Sequence, residues 1–545
     1  MKYLVDSEQM RECDRNTSEY YKVPSVVLME RAALAVLEHV SPDAHKILIV
    51  CGTGNNGADG LAVARLLKQQ GREVSVYLAG ENSHRSELNR LQLEICQKYG
   101  VSFTDNISDT EYDMVVDALF GIGYKREPNE QVLRLMRTVN AMSCPIIAVD
   151  MPSGVDADTG RIFTDAVRTD LTVTFGFPKM GMYRYPGKQY CGQIMEAPIG
   201  ITKDSFLGNM PHMVLTEETD VKHWWKKRIP DGNKGTFGKV LLMAGSRNMA
   251  GACILAARSC YRAGAGMVRI VTCEENRELL LQSVPEALLT VLPKQREELD
   301  QNVAWADVVV AGPGIGTQTQ TAELLCELIR LTADKPLVLD ADALNLLAVN
   351  DTMQDLLTKR TAYTTVLTPH PGELSRLTGK TVSQLKQDFP KDALDYARKM
   401  HCILVAKDAV STVLTPQGQG YLCDSGNDGM ATAGTGDVLT GMIGAMLAGY
   451  TVQSRKTESE SMPVVETVEK DPMTPDMLPD TEPDAARVVA AAVYLHGMTG
   501  GLAAEALTKE GVMAGDLIEY LPEAICRIRQ ENEKSESFEY TKRQA

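Results

Sequence analysis

Lys46-Ile47-Leu48-Ile49-Val50-Cys51-Gly52-Thr53-Gly54-Asn55-Asn56-Gly57-Ala58-Asp59-Gly60 is the stretch whose reading decides the fold. A short apolar run, too short for a buried helix, passes directly into a glycine-rich turn, and the helical pattern Leu61–Gln70 follows. Glycines let a backbone approach a ligand closely, and a helix N-terminus offers unpaired amides to a phosphate. Gly52-x-Gly54-x-x-Gly57 has the spacing of a dinucleotide fingerprint, but the paired Asn and the Asp59-Gly60 ending are unusual there. Taken alone, the same glycines can also be read as a tight turn.

Working outward, the unit repeats. Glu73–Leu78, Asp113–Ala118 and Pro145–Asp150 read as further parallel strands, with helices at Ser83–Tyr99 and Glu130–Met142 and two more before the first strand, near 7–20 and 25–41. This is a doubly wound α/β pattern. A second strand series then starts: Val240–Ala244, Val268–Cys273, Val308–Ala311, Pro336–Asp340, Thr365–Thr368 and Ile403–Ala406. The largely polar stretch Leu215-Thr216-Glu217-Glu218-Thr219-Asp220 leading into Val221-Lys222-His223-Trp224-Trp225 places a boundary near 217, so the expected domains are 1–217 and 218–545, a fusion of unlike α/β halves. Residues 451–484 carry nine acidic and three basic side chains and five prolines. That composition cannot bury enough apolar surface to offset chain entropy, and a mobile insertion joining helices Gly441–Tyr450 and Ala485–His496 is expected.

A chain of 545 residues exceeds what one core usually organises. Its 44% hydrophobic and 23% charged residues suit a globular protein, and no apolar run approaches the roughly 18–20 residues that span a bilayer. With 72 acidic against 56 basic side chains the net charge is −16, which argues against a broad nucleic-acid-binding face while leaving room for a local anion site. Twelve scattered cysteines with no Cys-x-x-Cys read as reduced thiols of a cytoplasmic protein, and neither they nor the eight histidines have metal-ligand spacing.

Two further strand ends add weight to the first. Val115-Val116-Asp117-Ala118-Leu119-Phe120-Gly121-Ile122-Gly123 and Ala148-Val149-Asp150-Met151-Pro152-Ser153-Gly154 each place an acid at a carboxyl end, where open α/β sheets bind ligands. The combination of Asn55–Gly60, Asp117–Gly121 and Asp150–Gly154 resembles the NAD(P)HX epimerase family, the YjeF N-terminal domains, over about residues 1–215. The resemblance implies a potassium ion held by Asn56, Asp117 and Ser153. It implies substrate contacts from Asn55, Asn56, Gly57, Ala58 and Asp59, from Gly121, Ile122, Gly123, Tyr124, Lys125, Arg126 and Glu127, and from Asp150, the leading residue for proton transfer. Carboxylate and hydroxyl oxygens suit a hard cation.

In the second half, Gly429-Met430-Ala431-Thr432-Ala433-Gly434-Thr435-Gly436-Asp437 introduces a long helix. Its first amides would face an anion with Asp437 beside them as a base, although an Asp at a helix start is also an ordinary cap. The block resembles the anion-hole and base motif of ribokinase-like enzymes. Lys234-Gly235-x-x-Gly238, Ala250-Gly251-Ala252, Gly312-Pro313-Gly314-Ile315-Gly316, Leu339–Asn345, Thr368-Pro369-His370-Pro371-Gly372-Glu373 and Val405-Ala406-Lys407-Asp408 surround it in order. This series resembles the ADP-dependent NAD(P)HX dehydratase family over about residues 220–530. It implies substrate contacts at Ala252, Gly314, His370 and Asp437, nucleotide contacts at Lys407, Asp408, Ala409, Val410, Ser411 and Gly436, and magnesium with ADP. Where the family usually has His before Lys234, this chain has Asn233. His370 can also be read as bracing a turn. Asp340 and Asp342 can be read as orienting magnesium or as helix caps, and are left outside the expected site.

The implied activity is bifunctional: R- and S-NAD(P)HX are interconverted, and the S form is dehydrated with ADP to NAD(P)H, AMP and phosphate. The alternative is a hydroxymethylpyrimidine-type kinase fused to a non-catalytic Rossmann-like domain. The expected partners are NADHX, NADPHX, ADP and a second copy of the chain in a homo-oligomer, with no nucleic acid and no membrane.

Overall fold

The computed structural model describes residues 1–545 apart from 108–110, 226, 293–295, 361–363, 461–483 and 543–545. The chain forms two compact units, Tyr3–Met213 and Val214–Ala545, the second also taking Met1–Lys2. Among the described residues no helix is long and apolar enough to cross a membrane.

The N-terminal unit is built on seven strands: β1 (Lys46–Cys51), β2 (Glu73–Leu78), β3 (Ser102–Thr104), β4 (Met114–Ala118), β5 (Ile146–Val149), β6 (Leu171–Phe175) and β7 (Gln193–Ala197). They lie in the order β3-β2-β1-β4-β5-β6-β7, and every pairing is parallel. A strand covered on both faces reads as a continuous apolar run, which is the pattern of β1. Ile47, Ile49 and Cys51 pack with Leu61 and Leu67 in one layer, while Leu48 and Val50 pack with Leu135 and Met136 in the other. Helices α1 (Ser7–Glu19), α2 (Ser25–Leu37), α3 (Asn55–Gln69), α4 (Glu87–Lys98) and α5 (Glu130–Asn140) provide that cover. The doubly wound α/β arrangement is as expected, but β3, β6 and β7 were not legible as strands.

The start of α3 corrects the sequence reading. The helix begins at Asn55, capped by Gly54 in extended conformation, and not at Leu61. Most of the supposed loop is therefore helix. Gly57 makes this possible: a Cβ there would stand 2.1 Å from the Gly52 carbonyl oxygen, so only glycine lets the first turn of α3 close onto the end of β1.

In the C-terminal unit nine consecutive strands belong to one sheet: β8 (Lys239–Met243), β9 (Met267–Thr272), β10 (Leu288–Val291), β11 (Val308–Ala311), β12 (Leu337–Leu339), β13 (Thr365–Leu367), β14 (Ile403–Ala406), β15 (Ser411–Leu414) and β16 (Gly420–Cys423). Their order is β10-β9-β8-β11-β12-β13-β14-β15-β16, parallel as far as β14 and antiparallel beyond it. Helices α6 (Ala250–Arg262), α7 (Asp342–Ala348), α8 (Pro371–Thr378), α9 (Thr435–Glu460) and α10 (Ala485–Leu507) concern the site. α9 runs ten residues past the expected end at Tyr450, and most of the acidic, Pro-rich segment, 461–483, lies outside the described residues.

Candidate functional site

In the N-terminal unit the strand order reverses between β1 and β4, and a cavity of about 960 Å³ opens there at the carboxyl ends. Asn55, Asn56 and Asp59 from α3, Gly121 to Arg126 from the loop after β4, and Asp150 line it. Gly57 and Ala58 are buried in the first turn of α3 and do not line the cavity, and Glu127 stands outside the lining, accepting a hydrogen bond from Thr164. Tyr124 stacks on Phe120 with ring centroids 4.5 Å apart, and burial pushes its hydroxyl pKa up to about 12.

Asp117 and Ser153 meet behind the cavity wall. The Ser153 hydroxyl donates to Asp117 Oδ1 at 2.6 Å, and its backbone N–H donates to Oδ2 at 2.8 Å. Leu119 N–H adds a third bond at 3.2 Å, while Phe120 N–H donates to Ser153 Oγ at 2.8 Å. Burial nevertheless pushes the Asp117 pKa up to about 6, because these neutral donors offset only part of the lost hydration. Asn56 lies against Gly121, and both polar atoms of its amide are buried with no hydrogen-bond partner among the described residues. An orphaned carbonyl oxygen, a buried carboxylate and a hydroxyl are a donor set that fits a monovalent hard cation.

Asp150 follows β5 with φ 66°, a left-handed conformation that turns its carboxylate away from the strand path. Oδ1 accepts from Phe175 N–H at 3.2 Å, Thr174 Oγ1–H at 3.3 Å and the Lys179 ammonium. Lys179 is fully buried and spends its other donors on Thr174 Oγ1 at 2.8 Å and the Phe175 carbonyl at 3.2 Å. A buried ammonium is sustained only by such complete pairing.

In the C-terminal unit Asp340, 1% exposed, follows β12. Its Oδ1 accepts from Lys407 Nζ at 2.8 Å and its Oδ2 from Thr440 Oγ1–H at 2.6 Å. Burial works to raise its pKa, but Lys407, Thr440 and Thr368 together hold it below the usual carboxylate range. Lys407 thereby stands next to Gly436, its Nζ 3.4 Å from where a Cβ of that glycine would lie. α9 starts at Thr435, so the amides of Thr435, Gly436 and Asp437 have no partner within the helix. Burial, then the Asp340 charge, pushes the Asp437 pKa up to about 7, with Lys407 acting the other way. Buried His496, its pKa down to about 4 by burial, donates from Nε2 to the Thr435 carbonyl at 2.9 Å and braces this turn. Packing of α9 on α6 needs Gly441, where a Cβ would stand 2.2 Å from the Ala256 carbonyl oxygen. Ala252, at the start of α6, lies against Gly314.

Other expected contacts have local duties. His370 caps α8: its Nδ1 accepts from Gly372 N–H at 3.0 Å, while Glu373 Oε2 accepts from His370 N–H at 2.9 Å. His370 thus braces the start of α8, with its Nε2 3.4 Å from Glu373 Oε1 and about half of its side chain exposed. Lys407 to Val410 form the turn between β14 and β15; the Asp408 carboxylate accepts from Ala409 N–H at 2.8 Å and the Ser411 hydroxyl donates to the Asp408 carbonyl at 3.3 Å.

Compared with known families, residues 25–181 match the YjeF-related protein N-terminus and residues 240–523 match NAD(P)H-hydrate dehydratase. The bifunctional NAD(P)H-hydrate repair enzyme Nnr of Moorella thermoacetica is 35% identical over 97% of this chain and 98% of its own length. The chain belongs to the bifunctional NAD(P)H-hydrate repair enzyme family. The repair enzyme Nnr of Escherichia coli is 34% identical over 81% of this chain and 84% of its own. Among solved structures, an ADP/ATP-dependent NAD(P)H-hydrate dehydratase from Bacillus subtilis, co-crystallised with ATP and Mg2+, is 28% identical, covering 57% of this chain and 97% of its own with a TM-score of 0.44.

Within this repair-enzyme chain three groups escaped the sequence reading. Asp340, left outside the site, is the residue that holds Lys407. Its signal, an acid at a strand end, was the one that marked Asp117. Lys179 is a lone cation among Phe175, Phe177, Met180 and Met182, which marks a buried charge in need of a partner. Arg11, Asp14, Arg15 and Ser18 of α1 line the cavity although α1 precedes the stretch matched by the N-terminal family.

Proposed function

We propose that the two units repair hydrated nicotinamide nucleotides in succession. The unit Tyr3–Met213 epimerises R- and S-NAD(P)HX, and the unit Val214–Ala545 dehydrates the S form to NAD(P)H, using ADP and giving AMP and phosphate. The observation that carries the reading is Asp437 among the free amides of α9, with Lys407 held beside Gly436.

The C6 hydroxyl of the hydrated ring is a poor leaving group until it is phosphorylated. Asp437 accepts the hydroxyl proton as the oxygen attacks the β-phosphorus of ADP and AMP departs. The amides of Thr435, Gly436 and Asp437, at the positive end of α9, stabilise charge on the transferred phosphoryl oxygens. Lys407 adds a cation at the same place, oriented by Asp340 and Thr440. Phosphate then leaves from C6 as the ring nitrogen donates its electron pair, and loss of a C5 proton restores the dihydropyridine. Magnesium carried by ADP supplies neutralisation of the diphosphate, in keeping with an ion bound chiefly through substrate phosphates.

In the N-terminal unit Asn56, Asp117 and Ser153 are the residues that would hold potassium, whose charge compensates Asp117. Asp150, paired with Lys179 at the cavity wall, moves a proton during epimerisation. The test is to supply purified chain with mixed NADHX epimers and magnesium with ADP, with ATP or without nucleotide, following NADH absorbance. NADH should form from S-NADHX only with nucleotide, and from R-NADHX by way of S. Failure to form NADH with either nucleotide overturns the reading.

A further inference from the structure

Inversion at C6 with exchange of the hydroxyl calls for two proton-handling groups. One protonates the departing oxygen, and the other takes a proton from the water that arrives on the opposite face. Asp150 accounts for one of them.

The cavity supplies another from a different wall. Arg11, Asp14, Arg15 and Ser18 recur along α1 at helical spacing and all line the cavity, while Met10, Cys13 and Thr17 are buried on the adjoining face. Among the described residues no hydrogen bond or salt bridge engages the Asp14 carboxyl, and its side chain is exposed where it borders the cavity. Asp150 and Lys179 from beyond the strand ends, Asp59 from α3, Arg11, Arg15 and Glu19 from α1 itself, and Lys125 and Arg126 after β4 are the other charged groups lining the same space. The protein around Asp14 and the charge of Asp150 push its pKa up to about 6, against Lys179, so it can both hold and release a proton near neutrality. Asp59 is less suited to cycle, since burial, with Asp150 and Asp14, raises its pKa well above the carboxylate range.

We propose that Asp14 is a second catalytic residue of the epimerase, protonating the departing C6 oxygen while Asp150 deprotonates the incoming water. The inference rests on the epimerase reading of this unit. In the step, the Asp14 proton passes to the C6 hydroxyl and the C6–O bond breaks as the ring-nitrogen electron pair forms C6=N1, releasing water. A second water attacks C6 from the other face, the π pair returns to N1, and the proton of that water goes to Asp150. Asp14 ends ionised and Asp150 protonated, which is the starting state for the reverse epimerisation.

The experiment uses the full chain and pure R-NADHX without nucleotide, measuring S-NADHX formation above the spontaneous rate in 18O-enriched water. S-NADHX dehydration with magnesium-ADP by the same preparations and the thermal unfolding of the chain serve as controls. Asp14→Asn should slow R-to-S conversion about 100-fold or more, Asp14→Glu should retain at least roughly a tenth of the wild-type rate, S-NADHX dehydration should be unchanged, and the wild-type product should carry one solvent oxygen. The assignment is overturned if Asp14→Asn epimerises within a few fold of wild type or if the product keeps its original oxygen. It is also overturned if Asp14→Glu is as inactive as Asp14→Asn while the thermal transitions match wild type. A wild-type chain that does not accelerate R-to-S conversion overturns the epimerase reading itself, and the role of Asp14 with it.

Discussion

Asp117 closes β4 of the N-terminal unit and Asp340 follows β12 of the C-terminal unit, and each is 1% exposed where a parallel strand ends. Their surroundings move them in opposite directions. Asp117 takes its hydrogen bonds from neutral donors, Ser153 and Leu119, and burial pushes its pKa up to about 6. Asp340 meets the same burial, but the Lys407 ammonium at 2.8 Å holds it below the ordinary range. Equal burial thus does not set the state of a carboxylate; the charge of its partner does. The C-terminal unit carries its own counter-cation and uses it to place positive charge beside Gly436. Among the described residues no cation pairs with the Asp117 carboxylate and the Asn56 amide has no hydrogen-bond partner, a setting that suits a cation taken from solution.

The largest effect that tests this division is loss of the base. Asp437→Asn should lower S-NADHX dehydration roughly 10³-fold while R-to-S conversion continues; NADH recovery from S-NADHX within a few fold of wild type would remove Asp437 from that role. Next, the two buried carboxylates should respond unequally to the same isosteric change. Asp340→Asn strands the Lys407 ammonium and should destabilise the C-terminal unit by about 3–5 kcal/mol. Asp117→Asn disturbs only neutral hydrogen bonds and should cost the N-terminal unit about 1–3 kcal/mol, while abolishing the response of epimerisation to potassium. Denaturant unfolding of each variant measures both, and a larger loss for Asp117→Asn would break the contrast.

A third expectation concerns pH. Asp437 acts as a base only when ionised, and its pKa is about 7. Dehydration should therefore rise with pH through about 7 and level off above it, falling about tenfold per unit on the acid side. A kcat/KM profile on S-NADHX that is flat from pH 6 to 8 would contradict the assignment. The smallest effect belongs to the acidic, Pro-rich segment. Replacing 461–483 with a short Gly/Ser linker should leave both rates within about twofold, since shortening a polar connection changes loop entropy by only about 0.6 kcal/mol per halving. A selective loss of dehydration in a folded chain would instead tie the segment to the active site.

Local pattern carried much of the molecule. Each strand ending in an acid before a glycine, as at Asp117 and Asp150, could be read because a parallel strand and its ligand-facing end are neighbours in sequence. The glycine-led start of α9 with Asp437 was readable for the same reason. The first helical turn of α3 was misread, because whether Asn55–Asp59 stays a loop or closes into helix depends on how near Gly57 comes to Gly52.

By itself the sequence determined the α/β alternation, the division into two unlike halves and the presence of acids at strand ends, all of which arise from interactions between near neighbours along the chain. Only the tertiary structure decided which charges those acids meet. Asp150 finds Lys179 29 residues away, Asp340 finds Lys407 67 residues away, and Asp14 reaches the cavity on a helix that precedes the first strand of its sheet. Strand order sets those meetings, and in a dry interior the partner's charge determines whether a carboxyl group holds or gives up its proton.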